Sequence, residues 1–180
     1  IVEVKRDGHL YRQRYERGKP VTAFKAVGNT DDTGTKIMFK PDPEIFDETE
    51  YDFNILSQRL KELSFLNKGV KIIVRDERQD KEETYHYEGG IVSFVKHLNR
   101  NKEVLHPEPI SIQGSKDDIS VEIAMQYNDS YNENIYSFAN NIDTTEGGTH
   151  LIGFKSALTR AFNDYGKRYN YIKENEKGLF

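Results

Sequence analysis

The stretch NNIDTTEGGTHLIGFK, residues 140–155, contains the sharpest change of pattern in the chain. Asparagines, threonines and a glycine pair, all of which favour turns, stand directly before apolar residues at helical spacing. The glycines let the chain turn sharply, and Thr149 is placed to cap the first free amides of a helix. The stretch therefore predicts a corner where a strand ends and the last helix begins, near Thr149.

Alternating apolar and polar residues predict strands before this corner. Val2 and Val4 alternate with polar residues ahead of Asp7-Gly8, a pair typical of a two-residue hairpin turn. Five further extended segments are predicted, at residues 36–39, 70–77, 106–112, 119–128 and 133–142. The strand at 70–77 is rich in β-branched residues and is expected to be buried. The polar run at 76–90 breaks the pattern, and a hairpin turn is one reading of it.

Three segments have the periodicity of helices. The first covers residues 51–66, the second opens at Gly89-Gly90, and the third follows the corner. Each has an apolar stripe: Leu56, Leu60 and Leu63 in the first, Ile91, Phe94, Val95 and Leu98 in the second, and Phe154, Leu158, Ala161, Phe162 and Tyr165 in the third. Because strands and helices are mixed without strict alternation, the fold class is predicted to be α+β.

Composition limits the classes of protein to consider. The 180 residues are 36% hydrophobic and 31% charged, as in a soluble globular protein. A net charge of −4 does not indicate a nucleic-acid binder, although a local basic patch stays open. The absence of cysteine excludes disulfides and thiolate metal sites. No apolar run approaches the roughly 20 residues that cross a bilayer, so no membrane partner is expected. A start within a strand, without methionine, suggests a piece of a longer protein.

Short motifs identify no complete site. The five histidines are scattered, without the spacing of a zinc site. Asp31-Asp32 precede a glycine and favour a turn over a calcium loop. Lys155, Arg160 and two later cations give the last helix a basic side, which suits either phosphates or solvent.

Long segments, taken in order, resemble one known family. They are RDGHLYRQRYERGKPV, TDDTGTKIMFKPDPEIF, RLKELSFLNKGVKI, YHYEGGIVSFVKHLN and QYNDSYNENIYSFANNIDTTEGGTHLIGFKSALTR. They are similar to the B subunit of bacterial DNA gyrase, a type IIA topoisomerase, over essentially the whole chain. The corresponding B subunit of topoisomerase IV, a close relative, remains an alternative. A non-catalytic interaction module is the third hypothesis, since the residues of this chain do not include a complete set of catalytic groups.

The resemblance implies the fold and the partners. Residues 1–88 would be the C-terminal part of a GHKL ATPase sandwich, and residues 89–180 an incomplete, ribosomal-protein-S5-like transducer domain. In this cytoplasmic family two B subunits bind ATP, dimerise and close a clamp on double-stranded DNA. Together with two gyrase A subunits they introduce negative supercoils, and aminocoumarin-type inhibitors bind the ATP pocket.

The resemblance also implies roles for four residues. Thr35, which ends the Thr-Gly-Thr motif, would lie at the floor of the adenine pocket, and Ile37 would line it. Arg6, before the hairpin turn, would sit on the rim where inhibitors stack. Lys155 would face DNA in the closed clamp.

The remaining catalytic parts of the family fall outside the chain. Its general-base glutamate, magnesium-binding asparagine and glycine-rich lid would precede Ile1, and its γ-phosphate lysine would follow Phe180. We therefore expect no catalytic or metal-binding residue in this chain. ATP would be the substrate, with Mg²⁺, of the full-length protein. We expect these residues alone not to hydrolyse ATP.

Overall fold

The computed structural model describes residues 1–173 and 176–178 of the chain. Three helices and a set of antiparallel strand pairs lie within this described part, which confirms the predicted α+β class. The chain divides into two units, Ile1–Tyr51 and Asp52–Phe180. The domain division at residues 1–88 and 89–180 stays a prediction, and residues 174–175 and 179–180 of its second part lie outside the described residues.

The first unit is built on an antiparallel sheet of four strands. Its strands are β1 (Val2–Arg6), β2 (His9–Gln13), β5 (Lys25–Asn29) and β6 (Gly34–Ile37). They lie in the order β5-β2-β1-β6, so β6 is an edge strand. A separate short hairpin joins β3 (Tyr15–Glu16) to β4 (Lys19–Pro20).

The hairpin predicted at the start of the chain is confirmed. Asp7 and Gly8 have φ angles of 52° and 78°, as the favoured two-residue turn requires. The strand predicted at 36–39 begins and ends two residues earlier, as β6. Its last residue, Ile37, pairs with Val2, and the backbone of the next residue, Met38, still exchanges hydrogen bonds with Ile1 at 2.8 and 2.9 Å.

Among its described residues, the second unit contains the helices and three hairpins. Its elements are α1 (Phe53–Leu66), β7 (Lys71–Asp76), β8 (Lys81–His86), α2 (Gly90–Asn99), β9 (Ile110–Lys116), β10 (Ile119–Met125), β11 (Phe138–Ala139), β12 (Ile142–Asp143) and α3 (Thr149–Arg168). The pairs β7-β8, β9-β10 and β11-β12 are each antiparallel. Across the described residues, no helix has both the length and the apolar character needed to cross a bilayer.

An aromatic cluster forms the core of this unit. Phe65 of α1 is only 1% exposed, and its ring stacks on Tyr87 with centroids 3.7 Å apart. Phe94 and His97 of α2 lie against the same ring at 5.1 and 5.5 Å. Burial lowers the pKa of His97. The cluster therefore fastens α1 and α2 to the segment that follows β8.

The predicted leucine stripe of α1 is half-buried at Leu60 and Leu63 but does not supply the most buried residues of the helix. Ser57, Ser64 and Phe65 are its buried residues, whereas Leu56 is 40% exposed. Ser57 shares a buried hydrogen bond with the hydroxyl of Tyr85 in β8. Serine is small and needs a polar partner, so these positions suit close contact with the hairpin better than leucine would.

The prediction for residues 70–90 was wrong in two respects. The strand β7 is half-buried, because Ile72 and Val74 point inward while Ile73 is 55% exposed. The polar run contains a full strand, β8, which pairs with β7 along its whole length. The sequence did not predict β8 because its residues are polar. A strand in a solvent-exposed hairpin needs no alternation of apolar and polar residues.

The strand predicted at 133–142 is also wrong. Only β11 and β12 form, with two residues each. Asn140 and Asn141 between them have φ angles of 50° and 64°, so this pair makes a hairpin turn inside the predicted strand.

The predicted buried side of α3 is correct only in its first half. Phe154 and Leu158 are half-buried, whereas Phe162 and Tyr165 are 44% and 55% exposed. Tyr165 packs instead on Tyr169, with ring centroids 4.4 Å apart. Tyr165, the last aromatic residue of the helix, thus contacts the aromatic residue at its C-cap rather than a core.

Replacing Phe65 with alanine should destabilise the second unit by about 3–5 kcal/mol, because the change empties the centre of the aromatic cluster. Phe162→Ala, which removes a ring 44% exposed, is the matched control and should cost much less. Urea unfolding followed by circular dichroism measures both. Equal losses would contradict the assignment of Phe65 as the core residue.

The turn after β7 should make stability depend on pH. Asp76 accepts hydrogen bonds from the Arg78 side chain at 2.7 and 2.9 Å, which hold its pKa at about 2, against an ordinary value of 3.8. The unfolded chain therefore takes up this proton at a higher pH than the folded chain. The stability from this pair is complete above about pH 4 and is lost as the pH falls towards 2.

Thermal unfolding between pH 5 and pH 2 tests this dependence. Asp76→Asn should unfold with a shallower acid dependence than the wild type. Asp80→Asn is the control from the same turn, because Asp80 forms no ion pair with another described residue. An unchanged slope in Asp76→Asn would rule out the contribution of Asp76.

Candidate functional site

The strand register of the first unit places three predicted site residues on one face of its sheet. Thr35 lies opposite Val4, and Ile37 lies opposite Val2. Paired residues of antiparallel strands share a face, and side chains alternate along each strand. Arg6, two residues beyond Val4 in β1, therefore belongs to the same face. The structure brings Arg6, Thr35 and Ile37 together although β2 to β5 separate them in the sequence.

The two faces of this sheet differ in chemistry. The face with Thr35 also carries Tyr11, whose ring stacks on Phe24 at a centroid distance of 5.0 Å. Side chains of the opposite face form two ion pairs: Glu3–Arg12 at 3.6 Å and Lys5–Asp32 at 2.9 Å. An apolar, flat ligand therefore matches only the face that carries Thr35.

The predicted residues on this face are open to a ligand. Thr35 is exposed and Ile37 is 66% exposed, so neither lies in a solid interior. A threonine hydroxyl both donates and accepts hydrogen bonds, and Ile37 offers an apolar surface beside it. Arg6 Nε lies 3.7 Å from Asp7 Oδ2, and both side chains are largely exposed. The guanidinium of Arg6 can therefore stack on a flat ligand. This combination suits a flat ring with polar edges.

The loop that leads into β6 is held at two points. The backbone N–H of Thr30 donates to the carbonyl of Gly8 at 3.1 Å, and Lys5 Nζ donates to Asp32 Oδ2 at 2.9 Å. The hydrogen bond from Lys5 lowers the pKa of Asp32. These contacts tie the start of β6 to the first hairpin and so support the position of Thr35.

The corner before α3 has a different cap from the predicted one. Gly148 occupies the N-cap position with a φ angle of 156°, and Gly147 has a φ of 79°. Thr149 is the first residue inside the helix, so the predicted cap by its side chain is wrong. The polar groups of the corner bond locally, as where Thr144 Oγ1 donates to the carbonyl of Ser137 at 2.9 Å.

One side of α3 forms a second candidate site, which we name the polar face. Its side chains line a shallow, open hollow: Lys155, Ser156, Thr159, Arg160 and Asn163. At 3.6 residues per turn they fall within roughly 140° of the helix circumference. No acidic residue belongs to the set. Ammonium, guanidinium, hydroxyl and amide groups all donate hydrogen bonds, so the face suits phosphate oxygens.

The two cations of the polar face have different surroundings. Lys155 Nζ donates to Glu133 Oε1 at 2.6 Å, and the two side chains are 51% and 68% exposed. Arg160 forms no ion pair with any other residue that the structure describes. The charge of Arg160 is therefore available, whereas the charge of Lys155 is partly neutralised.

Histidines and carboxylates do not assemble into a metal site in the described part of the chain, where no group of three or more such residues is placed to hold an ion. His106 illustrates a structural role instead. Its Nε2 accepts from the backbone N–H of Tyr127 at 3.0 Å, so its Nδ1 must donate to the carbonyl of Glu108 at 2.7 Å. A neutral ring satisfies both bonds.

Four residues around Lys155 were missed from the sequence. Thr159 and Asn163 follow it at i+4 and i+8, a spacing that could have identified one helix face, whereas Ser156 at i+1 lies about 100° around the helix. Glu133 lies 22 residues away in an irregular segment, and no local pattern connects it with Lys155.

Comparisons with known proteins agree on one family. A family model described as DNA gyrase B matches residues 90–179. The chain is 64% identical to the DNA gyrase B subunit of Clostridium acetobutylicum over 99% of its length, and 53% identical to that of Bacillus mycoides, also over 99%. It spans only 28% and 45% of these two relatives.

Solved structures show the same relationship. The 43K ATPase domain of Thermus thermophilus gyrase B, in complex with an aminocoumarin, matches with a TM-score of 0.83 and 38% identity, over 97% of this chain and 48% of that one. The B subunit of the DNA gyrase from Myxococcus xanthus matches with a TM-score of 0.83 and 27% identity, over 92% of this chain and 49% of that one.

Proposed function

Because the chain belongs to the DNA gyrase B family, we propose that it is part of an ATP-dependent type II DNA topoisomerase, in which ATP drives a clamp that passes one DNA segment through another. The relatives named above support gyrase, and hence negative supercoiling, over topoisomerase IV or a non-catalytic module. The proposed partners are double-stranded DNA, gyrase A subunits in a heterotetramer, and a second copy of the full-length protein that dimerises with it on ATP binding. The proposed location is the cytoplasm.

One observation supports the nucleotide site most directly, namely the shared sheet face of Arg6, Thr35 and Ile37. In the proposed site the hydroxyl of Thr35 holds the polar edge of adenine and Ile37 contacts its ring. Arg6 lies at the rim, where it also meets aminocoumarin inhibitors. The aminocoumarin complex of the Thermus thermophilus relative supports this part of the proposal.

This chain's share of the chemistry is binding rather than hydrolysis. Mg²⁺ bound with ATP would neutralise phosphate charge. We assign it no ligand among the described residues. The residues of the sheet face orient the base, and the remaining catalytic groups belong to the rest of the proposed full-length protein.

We also propose the domain division at residues 1–88 and 89–180.

The polar face of α3 is the proposed DNA contact. Lys155 and Arg160 supply charge, and Ser156 and Thr159 supply neutral hydrogen-bonding groups. Contacts of this kind position a protein on the phosphate backbone without reading sequence, which is what a clamp that accepts any segment requires.

Thr35→Val should weaken ATP binding by the intact protein about two- to tenfold, because it removes one hydrogen bond and keeps the shape of the side chain. Lys36→Ala is the matched control, since Lys36 is the next residue and points to the opposite face. Isothermal titration with a non-hydrolysable ATP analogue measures both. Equal losses in the two variants would contradict the proposed pocket.

Lys155→Ala should reduce DNA-stimulated ATP hydrolysis more than basal hydrolysis. The slope of log binding constant against log salt should also become shallower, by about 0.9 for each phosphate that the variant no longer neutralises. Lys96→Ala is the matched control, because Lys96 is similarly exposed and pairs with Glu108 at 2.6 Å. Equal loss of basal and stimulated rates in Lys155→Ala would argue against a DNA contact.

A further inference from the structure

We propose that Glu133 occupies the DNA-contact group of Lys155 when DNA is absent, so that a DNA phosphate must displace this carboxylate to bind. The inference rests on the proposed function of the polar face and adds a residue that regulates it. Its starting observation is the hydrogen-bonded ion pair between Lys155 Nζ and Glu133 Oε1, at 2.6 Å.

The chemistry of the pair matches that of the proposed ligand. A carboxylate presents two anionic oxygens, as a phosphodiester does, and Lys155 meets either as a compact charge with three donors. One ammonium group cannot give its full charge to both. Contact between Lys155 and phosphate therefore competes with contact between Lys155 and Glu133.

The exposure of the pair allows exchange. Glu133 is 68% exposed and Lys155 51%, so a polyanion can approach without opening the fold. Exposed pairs of this kind contribute little to stability, because solvent screens them. Displacement of Glu133 is therefore compatible with an intact second unit.

The segment that carries Glu133 is anchored at both of its ends. At one end, Asn128 Nδ2 donates to Asn99 Oδ1 at 2.8 Å. At the other, Ser137 exchanges hydrogen bonds with Thr144. Glu133 lies between these anchors in irregular backbone. The anchors keep its carboxylate within reach of Lys155, while the side chain can leave without breaking either of them.

Comparison with Arg160 shows how the Lys155–Glu133 pair would regulate DNA binding. Arg160, on the same face, pairs with no other described residue and so attracts DNA without competition. Lys155 joins only where DNA comes close enough to replace Glu133. The carboxylate thus lowers the affinity for DNA, because it partly neutralises one of the two cations on this face.

Measurement of DNA affinity by fluorescence anisotropy, with the full-length protein and a labelled duplex at fixed salt, tests the inference. Glu133→Gln should bind about two- to fivefold more tightly, because Lys155 is released. Glu108→Gln is the matched control. Glu108 pairs with Lys96 at the same 2.6 Å and is 73% exposed, and its loss should leave the affinity unchanged.

Two further variants separate direct pairing from general repulsion of DNA. In a Lys155→Ala background, Glu133→Gln should give no gain, since the group it releases is gone. Glu133→Asp keeps the charge but shortens the reach, and should give part of the gain. A full gain in the Lys155→Ala background, or none in Glu133→Asp, would mean repulsion alone and overturn the inference.

The remaining outcomes distinguish the inference from the proposed function. If Lys155→Ala weakens DNA binding while Glu133→Gln changes nothing, the DNA contact stands and the competition is refuted. If Glu133→Gln weakens binding, the carboxylate positions Lys155 rather than competing for it, and the inference is again refuted. If Lys155→Ala leaves DNA binding intact, the proposed contact fails and the inference fails with it.

Discussion

A two-residue turn with positive φ angles fixes the register of the two strands that it joins. The sheet of the first unit depends on this constraint. At Asp7 and Gly8 the turn sets β1 against β2, and β1 in turn pairs with β6. A slip of one residue in this hairpin would move every side chain of β2 to the other face of the sheet. Tyr11 would then leave the surface that it shares with Arg6, Thr35 and Ile37.

The charged face of the same sheet supports the face that we propose as the nucleotide site. The ion pair of Lys5 with Asp32, and the hydrogen bond of Thr30 to Gly8, hold the loop before β6 from one side. The other side keeps Thr35 exposed. Structural contacts and proposed binding groups are therefore separated by the alternation of a strand, which allows one strand to serve both purposes.

Rigid and exchangeable contacts are likewise separated in the second unit. Phe65 is buried in an aromatic cluster that joins two helices, and a buried ring is costly to remove. Lys155 and Glu133 form an exposed pair that adds little to stability. An ion pair of this second kind suits a site whose ligand arrives and leaves, because its exchange does not disturb the core.

The sequence alone determined the first hairpin, the start of α3 near Thr149 and the family, because turn chemistry, periodicity and long ordered segments are local properties. Only the tertiary structure decided that Ser57 rather than Leu56 faces the hairpin, and that Glu133 meets Lys155. These contacts join residues far apart in the chain, and they depend on register and on the approach of whole elements. No local pattern specifies them.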